Sequence, residues 1–124
     1  MSAAPIATCS RAAMDADLIA VCERLLAANR DVMALYKRRS AMSFEEEAAT
    51  DPEMDALAER ENAVLEELDQ VGTSPKTMAG AVALARAALS QAPLARDGTI
   101  EYQHDADWLA WSVVRCLAAV EVAP

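Results

Sequence analysis

An all-α fold is predicted for this chain: a long antiparallel helical hairpin with two shorter C-terminal helices, bundle-like in arrangement. Three observations point there. Apolar residues make up 54% of the 124-residue sequence but aromatics only 4%, with three glycines. That alanine- and leucine-rich balance favours helices over a sandwich or barrel. Apolar residues recur at steps of three and four over long stretches, which is the helical period. Finally, start and stop signals divide those stretches cleanly, and four of the five prolines lie outside them. The length suits one domain with a single modest core. It is expected over residues 14–124, after a weakly structured small-residue leader at 1–13.

Helix one is expected over about 15–39. Asp15 or Asp17 can cap it, and acidic residues suit the positive end of the helix dipole. Leu18, Cys22, Leu25, Asn29, Val32 and Tyr36 alternate steps of four and three, and Ile19, Leu26 and Met33 widen the stripe. Lys37, Arg38 and Arg39 complement its C-terminal end. The connection "SAMSFEEEAA" has room for a further helical turn. Helix two, about 51–71, opens at "TDPE", where Thr50 and Glu53 have capping-box spacing and Pro52 fits a first turn. Gly72 is its stop. Ser74 or Thr77 can cap helix three, about 76–90, whose narrow stripe is Met78, Val82, Ala85 and Leu89. Asp97-Gly98 marks a turn. Helix four, about 105–121, carries Leu109, Val113, Cys116, Leu117 and Val120 as its apolar face.

Net charge is −9, yet residues 41–72 hold 11 acidic side chains against one basic, leaving the rest of the chain at +1. An acidic arm of that kind repels phosphates, so no nucleic-acid partner is expected. No apolar run reaches the length of a membrane span. The N-terminus lacks the basic start and apolar centre of a secretory signal. Three cysteines without CxxC spacing fit a reducing compartment, so a cytoplasmic location is expected. Cys22 and Cys116 read as small core residues, and Cys9 as the accessible thiol.

Two features stand out against this frame. Glu61 falls mid-stripe on helix two and Asn29 mid-stripe on helix one. In an antiparallel hairpin, facing residues have a constant index sum, near 90 for a loop centred at residue 45, and this pair meets it. A polar layer placed so can set helix register; recruitment of Glu61 by a base such as Arg115, or a catalytic or metal role, are the competing readings. Trp108, Trp111 and Arg115 share a second side of helix four, roughly opposite Val113 and Leu117. Either that helix is buried on several sides, or this side meets another chain, since Trp and Arg are typical of interface hot spots.

Enzyme signatures are weak. Glu66 and Asp69 match the ExxD half of the helical pyrophosphohydrolase pattern, but Ala49 stands where the first half needs an acid after Glu45 and Glu46. Glu101 and His104 form one ExxH pair beside a turn, where carboxylate-bridged bundles need two. No P-loop, GxSxG or dinucleotide fingerprint occurs, and no cofactor is implied. "DADLIAVCERL", "SPKTMAGAVALARAAL" and "DWLAWSVVRCL" together resemble a group of short helical proteins of alphaproteobacterial genomes, with a DADL-type start, a T-x-x-G helix and an AWSLVRDL-like end. Cys116 stands where an acidic residue is usual. The group has no established activity, so the resemblance implies no site residues. The sequence thus predicts a non-enzymatic helical protein-interaction or self-assembly module, expected as a homodimer. The alternatives are an acidic decoy for a basic nucleic-acid-binding partner and a helical metal-dependent hydrolase.

Overall fold

The computed structural model describes residues 14–122. The leader and Cys9 lie outside the described residues. Among these described residues five helices follow one another: α1 Ala16–Arg39, α2 Phe44–Ala49, α3 Asp51–Val71, α4 Met78–Ser90 and α5 Asp107–Ala118. Among the described residues there is no strand, only an isolated bridge between Leu94 and Ile100 in the α4–α5 connection. α1 packs on both α3 and α4, and α5 packs on α4.

α1 and α3 run in opposite directions. Arg24 pairs with Glu67, Asp31 with Arg60, Arg38 with Glu53, and Arg39 with Asp51. Each pair's residue numbers sum to 90 or 91, so position on one helix falls as it rises on the other. The first three lie on exposed flanks, where each contributes little stability, whereas Arg39 is half-buried. Their value is as markers of register.

The core joins Leu18, Val21, Cys22 and Leu25 of α1 to Val64 and Leu68 of α3 and Ala87 of α4. Leu25 is 1% exposed. The buried arc of α1 is rotated from the expected stripe. Val21, Ala28 and Leu35 are buried, whereas Met33 and Tyr36 are exposed and Val32 is half-buried. α1 is covered by two helices rather than one, and this widens its arc to one side. Leu57 on α3 is likewise half-buried.

Local signals place the breaks, with two reassignments. The capping box lies at Ser43 and Glu46, where it starts α2. Thr50 occupies the N-cap position of α3, but its hydroxyl donates back to the Glu47 carbonyl at 2.7 Å instead of capping. Gly72 ends α3 at φ 95°, a conformation that a side chain disfavours.

Asp15 is the larger surprise. It stands at the N-cap position of α1 yet makes no capping bond there. Only 3% exposed, it reaches across to the start of α4. Its carboxylate accepts the backbone N–H of Lys76 at 3.0 Å, that of Thr77 at 2.7 Å, and the Thr77 hydroxyl. Thr77 caps α4 in turn, accepting the N–H of Gly80 at 3.0 Å. Gly80 is what admits the carboxylate: a Cβ there would lie 2.6 Å from Asp15 Cγ. A charge-assisted cap on a helix N-terminus is favourable electrostatically as well as by hydrogen bonding. The Thr77 hydroxyl, then the Lys76 N–H, hold the Asp15 carboxyl below the usual carboxylate range.

Candidate functional site

The amide of Asn29 donates through Nδ2 to Glu61 Oε2 at 2.9 Å. Both residues are half-buried, not fully enclosed as the stripes suggest. Gln91, the C-cap residue of α4, extends the group: its Nε2 lies 3.4 Å from the same Glu61 oxygen. The polar layer therefore sits where α4 ends, and three chain segments meet in it. Half-exposure lets water complete the carboxylate's remaining bonds, which lowers the cost of an acid in the seam. Arg115 has no part in this layer. It is exposed on α5 and forms no salt bridge among the described residues.

α5 differs from the sequence reading in which of its faces is covered. No residue of α5 is buried. Val114 and Leu117 face α4 across an apolar crevice of about 260 Å³, lined on the other side by Pro75, Ala81, Leu84, Ala85 and Ala88. Trp111 is half-buried, while Trp108 and Arg115 are exposed. The expected core face is the open one. Leu109 is 56% exposed and Val113 54%; Cys116 and Val120 are exposed as well. Leu109, Val113 and Cys116 follow steps of four and three on the helix, and Val120, two residues past its end, continues the line in one cleft with Val113 and Cys116. An open cleft of about 320 Å³ runs along it, lined by Ser112, Val113, Cys116, Leu117 and Val120. Alternation of apolar residues around nearly the whole helix left both assignments consistent with the period.

Polar contacts close both ends of α5, a local one at its start and one from α4 at its end. The Asp107 carboxylate accepts the backbone N–H groups of Gln103 at 2.9 Å and His104 at 3.0 Å. Arg86 of α4 donates from Nε to the Ala118 carbonyl at 2.9 Å and from Nη2 to the Val120 carbonyl at 2.8 Å. A guanidinium there satisfies carbonyls that the helix end leaves unpaired and complements its negative dipole end. Neither contact covers the stripe. α5 is also shorter than the expected span of about 105–121.

At the opposite end, Arg39 is held by Asp51 at 2.7 Å and Glu47 at 3.4 Å, beside exposed Tyr36 and Phe44. Among the described residues no group of three or more His, Cys, Asp or Glu side chains is placed to hold a metal ion. No helix among them is long and apolar enough to cross a membrane. Compared with known proteins, the chain matches no family model, no curated protein and no solved structure.

Proposed function

We propose that this is a non-enzymatic helical protein-interaction module whose contact surface is the outward face of α5. In this reading the α1–α3 hairpin is the scaffold, with α4 and α5 layered on it, and the Asn29–Glu61 pair serves register rather than reaction. The observation that carries the reading is the stripe Leu109, Val113, Cys116 and Val120, open along its length on a helix whose other side is already docked. Large contiguous apolar surface on a water-facing helix marks an interaction site. A reducing, cytoplasmic setting fits an exposed thiol in its centre.

The test is site-specific photo-crosslinking. A photoactivatable maleimide is placed on Cys116 in a Cys9→Ser background, with a control at Glu59→Cys, Cys116→Ser. Defined adducts from position 116 and none from position 59 support the reading. Equal adducts from both, or none from either, reject it. A second reading, the acidic decoy, rests on Asp55, Glu59, Glu66 and Asp69, all exposed and in no salt bridge among the described residues. It predicts adducts from position 59 with basic proteins, lost in high salt.

A further inference from the structure

We infer that the occupant of the α5 stripe is a second copy of this chain, its α5 lying antiparallel across a two-fold axis; this rests on reading that face as an interaction surface. The spacing is the first argument. Val113 and Cys116 stand at the middle of the stripe, with Leu109 at one end and Val120, just past the helix, at the other, so the stripe is close to self-complementary about a point between Val113 and Cys116. A two-fold axis there sets Leu109 against the partner's Val120, and Val113 against the partner's Cys116. This is the isologous arrangement most homodimers adopt.

Charge is the second argument. A chain of net charge −9 repels its own copies. The stripe itself carries no charged residue. The acidic excess belongs to residues 41–72, which form α2 and α3. In the packing order α3, α1, α4, α5, that excess is at the far side from α5. Contact through α5 therefore leaves the two acidic regions on the outer sides of the pair, where distance lets salt screen their repulsion. Contact through any face of α3 would bring them together.

Area is the third. Covering the stripe and the adjoining Ser112 and Leu117 on both copies removes on the order of 700 Å² from water, the size of a weak, transient contact. The pair is then reversible, with a dissociation constant of roughly 1–100 μM. The geometry also places two Cys116 thiols near the axis. They are offset by about 4–5 Å along the helices, from a rise of 1.5 Å per residue, and are separated between the helices by less than the 8–10 Å between helix axes.

The experiment combines mass and cross-linking on the full chain. Sedimentation equilibrium should give twice the 13.3 kDa chain mass at high concentration, with little dependence on salt. Val113→Asp, at an exposed position, should keep the wild-type circular dichroism and weaken association at least about tenfold. In the Cys9→Ser background a short bismaleimide should join Cys116 to the partner's Cys116, and Glu59→Cys, Cys116→Ser should not link. A monomer at about 0.5 mM, well above the expected constant, overturns the inference. So does a dimer that Val113→Asp leaves intact. If the chain is monomeric while Cys116 still gives defined adducts with other proteins, the interaction surface stands and only the self-pairing fails. If both fail, the reading itself is wrong.

Discussion

Replacing Gly80 with Ala should change sign of effect depending on Asp15. In an open helix position the substitution stabilises by up to about 1 kcal/mol, because Ala loses less backbone freedom on folding. Here the new Cβ would lie 2.6 Å from Asp15 Cγ and closer still to Oδ2. The carboxylate must withdraw, loosening its bonds to Lys76 and Thr77, or α4 must shift. Overpacking of this kind costs about 1–3 kcal/mol, more than the gain in helix propensity. Gly80→Ala should therefore destabilise the wild-type chain. With Asp15→Ala already in place, the nearest remaining contact is the residue-15 Cβ at 3.0 Å. That is tight but lies at a helix end, where a few tenths of an ångström can be absorbed. Gly80→Ala should then be neutral or stabilising, by up to about 1 kcal/mol. The double-mutant cycle should show coupling of at least about 1 kcal/mol. Urea unfolding followed by far-UV circular dichroism at neutral pH measures all four proteins. Equal losses in both backgrounds, or a stabilised single variant, would refute the Asp15–Gly80 contact as the reason for the glycine.

Other predictions follow from the same contacts. Leu25→Ala, at a position 1% exposed, should cost about 2–5 kcal/mol, and Leu57→Ala clearly less because Leu57 is only half-buried; similar losses in denaturant unfolding would contradict the core boundaries. The folded-state pKa of Asp15 is depressed, so its contribution is present above the unfolded value of about 4 and is lost as pH falls through the folded value. Asp15→Asn should accordingly flatten the acid side of the stability profile, and an unchanged acid limb would count against the buried cap. Glu61→Leu should keep the helix content while broadening amide resonances around Asn29 and Gln91, if the polar layer sets register; sharp, uniform spectra would assign the layer no such role.

The helical content and the main breaks were legible because they depend on short-range signals: Gly72, Pro52 and the apolar period. The meeting of Asn29 and Glu61 was also open to reasoning, since in an antiparallel pair one loop position determines every facing pair. Gln91 was not, because its approach depends on where α4 ends relative to α1. Local rules make Asp15 a cap for its own helix; its true partners lie about sixty residues away, and only Thr77 and Gly80, three residues apart in a T-x-x-G stretch, hint at a tight helix start. α5 was misoriented for a different reason. Leu109 and Val113 on one side and Trp111 and Val114 on the other serve equally well as core, so the period alone does not choose. The packing of Val114 and Leu117 on α4 and the reach of Arg86 to the end of α5 go with the choice, and no periodicity encodes them.

The outward orientation of α5 and its covering by a second copy can be tested by one measurement: the rate of Cys116 alkylation as protein concentration is varied, in the Cys9→Ser background with Cys22 buried. The account predicts fast modification of one thiol in dilute native protein, slowing as concentration rises through the micromolar range, with Val113→Asp fast throughout. A Cys116 that reacts only on unfolding, or at a rate independent of concentration, would contradict it.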